Sequence, residues 1–167
     1  MKRIFVVVVM TLIFVQINAQ EQKTDSMARA KNTVFVELLG RGVLYSVNYE
    51  RWLFSYRSLD FSGQVGLSVM KNQDLITFPL ALNVMKGKVH HPMISIGYTQ
   101  VLWQQPTNFF KNDYPESIFI VGAGYKYQRP EGGFYFTLQV MKFFPVDENI
   151  LIWGGLGIGY TFKQQTA

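Results

Sequence analysis

Apolar and polar side chains alternate with a period of two through nearly all of this chain, and that rhythm restricts the fold more than any other feature. Strict alternation places side chains on opposite faces of a β-strand. In 43–50 it sets Val43, Tyr45, Val47 and Tyr49 against Leu44, Ser46, Asn48 and Glu50. In 59–70, Leu59, Phe61, Val65, Leu67 and Val69 oppose Asp60, Ser62, Gln64, Gly66 and Ser68. The pattern recurs at 75–86, 93–103, 117–128, 134–144 and 150–162, and with 33–39 it predicts eight strands. Gly- and Pro-rich separators such as 40–42, 87–88 and 129–133 supply turns. No stretch carries a helical period, so the chain reads as all-β with sequential antiparallel neighbours. Pro79, within the fourth strand, removes a ladder donor, and a local bulge is expected there.

Two closed arrangements fit eight meandering strands: a soluble barrel with an apolar interior, or a membrane barrel with its apolar face outward. The polar face decides between them. A soluble barrel needs Lys, Glu and Asp on its exposed face, whereas here that face carries Ser62, Gln64, Ser68, Asn83, Ser95, Thr99, Gly122, Thr137, Gln139, Gly155 and Gly157. Such compact, uncharged residues fill a narrow interior better than they solvate a surface. Most segments match the ~9–11 residues of a tilted spanning strand, against the roughly five or six of an average strand. Charged residues make up only 16% of the chain, and aromatics another 16%. Trp52, Phe54, Tyr56, Trp103, Tyr125, Tyr127, Phe134, Phe143, Phe144, Trp153, Tyr160 and Phe162 fall near strand ends, where girdles at a membrane interface belong. The fold expected is an eight-stranded antiparallel up-and-down transmembrane β-barrel.

Residues 1–19 read as a signal peptide: Lys2 and Arg3, an apolar run from Ile4, and Ala19 as the small residue for cleavage. The run is too short for a spanning helix. Residues 20–31 are expected to be a flexible polar linker, 32–162 the barrel and 163–167 a tail. Loss of Lys2 and Arg3 takes the formal charge from +5 to +3, too mild to propose nucleic acid as a partner. The chain has no cysteine, which excludes disulfides, thiolate metal sites and a cysteine nucleophile.

With the leader, the alternating segments and the closing run Gly155-Leu-Gly-Ile-Gly-Tyr-Thr-Phe162 in view, the chain resembles small outer-membrane β-barrels of the OmpX and OmpA-barrel kind over 32–162. Segments 78–83 and 45–50 are also similar to small outer-membrane proteins of Bacteroidetes-type bacteria. The resemblance implies that Gly157, Tyr160 and Phe162 form a C-terminal signal read by the barrel assembly machinery. It departs from the pattern at Gly155, where a polar residue is usual, and in the residues following Phe162.

By parity Glu37, Glu50, Asp60 and Lys126 point inward, where each charge needs a partner or water. They line either a polar pore or a network that plugs and stiffens the barrel; eight strands leave room only for side chains, which favours the network. His90 and His91 are expected as exposed turn residues without the partners a metal site needs. No nucleophile elbow or dinucleotide motif is present, so neither enzyme activity nor a cofactor is expected. The connection 104–116 lies opposite the termini, on the face where longer external loops occur. Its Phe109, Phe110, Lys111, Asp113 and Tyr114 are candidates for contact with a surface partner or with outer-membrane lipid headgroups. The role expected is structural or adhesive, at the outer membrane of a Gram-negative bacterium. A small-solute pore or ligand-binding barrel, and an exported lipocalin-like protein, are the alternatives.

Overall fold

The computed structural model describes residues 29–70, 75–103, 117–144 and 153–163. The segments expected as a leader, most of the expected linker, the 104–116 connection and the end of the expected tail lie outside these residues. Eight strands form in chain order: β1 Asn32–Leu38, β2 Tyr45–Tyr56, β3 Leu59–Met70, β4 Leu75–Lys86, β5 His90–Trp103, β6 Ser117–Gln128, β7 Gly133–Phe144 and β8 Trp153–Phe162. Each pairs antiparallel with the next, and β1 returns to β8, closing the barrel. Pairing runs from Asn32↔Phe162 to Leu38↔Leu156 along that seam, where the Thr33 and Thr161 hydroxyls share a 2.9 Å hydrogen bond inside.

The two faces fall as the alternation requires. Tyr45, Leu67 and Leu82 are exposed on the outside, whereas Ser46, Gln64 and Asn83 are buried within. Large apolar side chains stay exposed on every strand, including Val36, Val47, Leu67, Leu82, Ile96, Val121, Val140 and Ile158. A soluble barrel with an apolar centre has the opposite polarity. The interior is not polar throughout, however. Toward the end away from the termini, Val43, Met70 and Leu75 form one apolar cluster, and Ile118, Ile120 and Met141, joined by Phe143 and Trp153, form another.

Several local expectations change. The β3–β4 register is the same on both sides of Pro79, Val65↔Leu80 and Ser68↔Thr77, with the intervening pairs absent from the ladder. The missing donor therefore interrupts pairing without inserting a residue, and no bulge forms between these strands. Bulges occur instead at Leu53, between Trp52 and Phe54, and at Leu102, where Ile76 pairs with Trp103 but Thr77 with Val101. β2 begins at Tyr45, not at 43: Val43 has φ of 80° and turns into the barrel, while Leu44 is exposed. The polar segment before β1 is not a linker to its end. The Ala30 amide donates to the Pro130 carbonyl at 2.7 Å, and the Lys31 carbonyl accepts from the Trp52 amide at 2.8 Å.

Closure depends on close approach at the seam. A Cβ on Gly159 would strike the Val34 carbonyl oxygen and lie 2.6 Å from the Phe35 Cα, and backbone cannot yield as a side chain does. Overpacking of this sort costs about 1–3 kcal/mol. Gly159→Ala should therefore lower the temperature at which the folded barrel opens. Gly154→Ala, whose Cβ would meet only the Gln139 carbonyl at 3.9 Å, should leave it unchanged. Equal transition temperatures by circular dichroism would show that the seam tolerates the added methyl.

Candidate functional site: the charged interior

Alternation forces every second strand residue into the lumen, and Glu37, Glu50, Asp60 and Lys126 are all buried there. They do not form one cluster. Each carboxylate has its own cation, at three successive levels of the barrel.

Nearest the loop end, Glu37 on β1 meets Arg41 from the β1–β2 turn. The turn folds inward: the Leu39 amide bonds the Leu44 carbonyl at 2.7 Å, and Gly40 leaves no space for a Cβ because the Glu37 side chain lies against it. Arg41 is consequently among the largest fully buried side chains. Its amide donates to Glu37 Oε2 at 3.0 Å and its Nη1 to Glu37 Oε1 at 3.3 Å. The same guanidinium reaches Gln64 Oε1 at 3.1 Å and Gln139 Oε1 at 2.6 Å. One side chain thus ties together β1, β3 and β7 across the lumen, and Thr99 Oγ1 on β5 holds the Arg41 carbonyl at 3.0 Å.

The middle level centres on Glu50 of β2. Its Oε1 accepts from Lys126 Nζ on β6 and from the Ser62 hydroxyl on β3, with Asn83 Nδ2 on β4 at 3.3 Å. Its Oε2 accepts from the Tyr135 hydroxyl on β7 at 2.9 Å. Lys126 Nζ also sits 5.6 Å from the Tyr135 ring centre, and Phe35 packs on the same ring at 4.9 Å between centroids. Five strands thus meet at one carboxylate. Charge-assisted bonds to every available side are what make a buried ion pair tolerable in a medium of low dielectric constant.

At the end with the termini, Asp60 is bound by Arg29 at 3.0 Å and by the Ser55 hydroxyl. Parity predicts the inward acids and Lys126 but misses Arg29 and Arg41, because neither belongs to a strand. Tyr135 falls on the correct face, and its role as a hydroxyl donor needs the fold.

The histidines are not turn residues. Both belong to β5, with His91 fully buried in the lumen, its Nε2 3.3 Å from the Gln128 carbonyl oxygen. His90 faces outward and bonds the Tyr125 hydroxyl. Continuing the alternation back from Met93, through Pro92 and His91, is the signal that would have placed them. Among the described residues no group of three or more His, Cys, Asp or Glu side chains is placed to hold a metal ion.

Three of the aromatics assigned to the outer girdles also turn inward. Trp52 pairs with the lumen-facing Ser62 and lies beneath Arg29 and Lys31, at 5.5 and 5.1 Å from its ring centre. Phe143 and Trp153 pack together at 5.9 Å beside the second apolar cluster. Phe54, Tyr56, Phe134, Tyr160 and Phe162 are exposed outside, and Gly157 lies in the lumen facing Thr137. The candidate contact residues Phe109, Phe110, Lys111, Asp113 and Tyr114 lie outside the described residues.

No family model matches the sequence, and no curated protein matches it. The structure is similar to the crystal structure of the N-terminal β-barrel domain of Pseudomonas aeruginosa OprF, with a TM-score of 0.54. Sequence identity is 15%, and the match covers 83% of this chain and 100% of that one. The class is thereby defined as a closed, eight-stranded antiparallel up-and-down β-barrel.

The middle level makes a quantitative prediction. Removing one member of a buried pair costs about 3–5 kcal/mol because the other charge is left uncompensated. Lys126→Met should destabilise by this order in urea titrations followed by tryptophan fluorescence, and Glu50→Gln added to it should restore a large part. Equal losses in the single and double variants would show that the two charges are not coupled.

Proposed function

We propose that the chain is an integral outer-membrane barrel with a sealed interior, acting as a structural element and through its external loops rather than as a conduit. The observation that carries this reading is the exterior: apolar side chains stand exposed on all eight strands around a buried polar lumen. Hydrocarbon satisfies such a surface, whereas water does not. Closure supports the same environment, because a bilayer offers no partner for an open strand edge. Among described strand residues, Arg51, Lys86 and Lys142 are the only lysines and arginines on the outward face; Lys86 and Lys142 fall at or near strand ends, and Arg51, within β2, pairs with Asn32 at the start of β1. The likeness to the OprF barrel domain adds a fold precedent.

In this reading 1–19 directs export and is removed near Ala19. Gly157, Tyr160 and Phe162 are presented to the assembly machinery; an even strand number puts Asn32 and Phe162 at one end, and the short turns at that end suit the periplasmic side. The 104–116 connection then lies at the cell exterior, where Phe109, Phe110, Lys111, Asp113 and Tyr114 supply contact with a partner. The Arg41 and Glu50 levels cross the lumen with side chains from several strands, which favours a plug over a small-solute pore.

Cell fractionation followed by gel electrophoresis with and without boiling tests the assignment. The protein should sediment with outer membranes and shift in mobility on boiling, and liposomes containing it should not swell faster in small sugars. An unshifted protein in the aqueous fraction would overturn the membrane reading. Rapid swelling would overturn the sealed interior.

A further inference from the structure

Among the described residues the two ends of the barrel differ sharply in charge. At the end with the termini lie Arg29, Lys31, Arg57, Lys86, Lys88, Arg129 and Lys163, while the acids described there are Asp60, which binds Arg29, and Glu131. Arg57, Lys86, Lys88, Arg129 and Lys163 are all exposed. They come from the β2–β3, β4–β5 and β6–β7 connections, from the last residue of β4 and from the residue after β8, so they surround the rim rather than cluster on one side. At the opposite end the described residues carry one exposed cation, Lys142.

Two of these cations are held by aromatics of the outer wall. Arg57 lies 5.4 Å from the Tyr56 ring centre, and Arg129 Nε donates to the Tyr127 hydroxyl at 2.8 Å. The exposed Phe54, Tyr56, Tyr125, Phe134, Tyr160 and Phe162 form a belt at the same level. Aromatic belts settle where hydrocarbon meets headgroups, and this one carries the basic ring to the depth of lipid phosphates. A guanidinium offers paired donors in the geometry that phosphate oxygens accept.

We propose that this rim is a docking surface for anionic phospholipid, recognised by the phosphodiester headgroups of the leaflet on the terminal side, with phosphatidylglycerol as the probe. The inference rests on the membrane reading above and adds to it a lipid preference and a side. Basic residues at a membrane surface attract anionic headgroups within about a Debye length, and a closed ring of them gathers such lipids around the whole circumference. The sealed lumen takes no part.

The test uses the mature chain reconstituted in phosphatidylcholine vesicles with and without phosphatidylglycerol. Spin-labelled phosphatidylglycerol should be retained in the motionally restricted shell several-fold more than spin-labelled phosphatidylcholine, and added salt should erase the difference. Combined Arg57→Gln, Lys86→Gln, Lys88→Gln, Arg129→Gln and Lys163→Gln should remove the preference. All five side chains lie outside the lumen network, and a retained mobility shift on boiling would verify that the variant is folded. Lys142→Gln, at the other end, should keep the preference. A folded wild-type barrel with no headgroup preference, or one whose preference survives the five substitutions, would overturn the proposal while leaving the membrane reading intact. Failure of the wild type to insert into either vesicle, seen as no mobility shift, would overturn both.

Discussion

Pairing of β1 with β8 gives this chain an inside and an outside, and the remaining structure follows from that closure. Once the sheet has no free edge, a period of two becomes a radial instruction: each odd or even set of residues is sent to a confined lumen or to the surroundings. The lumen of an eight-stranded barrel is filled by side chains, so charges within it must be neutralised by their neighbours. They are neutralised locally. Glu37 with Arg41, Glu50 with Lys126, and Asp60 with Arg29 follow one another from the loop end to the terminal end, the first pair local to the β1–β2 turn and the other two joining distant parts of the chain. Glu50 with Lys126 ties β2 to β6 across the barrel, and Arg41 reaches β3 and β7 through Gln64 and Gln139, which the backbone ladder alone cannot do.

The ladder and the faces were legible in the sequence because both depend on parity alone. Tyr45, Leu67 and Leu82 outside, with Ser46, Gln64 and Asn83 inside, required nothing beyond counting by twos. Reading failed where the backbone leaves the strand conformation. Val43 continues the alternation on paper, yet its positive φ turns it into the lumen, and the same turn delivers Arg41 to Glu37. Trp52, Phe143 and Trp153 share the chemistry of girdle residues, but parity places them inward, where they cover the lumen near its two ends. Gly87 and Lys88 mark the end of the preceding strand so clearly that His91 reads as a turn residue, although the alternation resumes two residues later and places it in β5. At Pro79 the expected bulge does not form: pairing with β3 is interrupted, and the register survives the lost donor.

The outer wall and the two rims carry the functional account. An apolar wall around a neutralised, filled lumen suits a protein whose work is done at its surfaces. The rims are unequal: exposed cations ring the terminal end above an aromatic belt, while the other end bears the longer connections. A barrel with such ends has a built-in orientation relative to its surroundings, independent of any passage through its centre.

The absence of cysteine from the chain permits the most direct test of this geometry, a nitroxide placed by single-cysteine substitution in the vesicle-bound protein. Labels at Leu82 and Val140 should collide readily with oxygen dissolved in lipid but not with a water-soluble nickel chelate. Their inward neighbours Asn83 and Gln139 should be shielded from both. Labels at Leu82 and Val140 that meet the chelate freely, or labels at Asn83 and Gln139 that meet lipid-borne oxygen, would contradict the assignment of inside and outside on which the account is built.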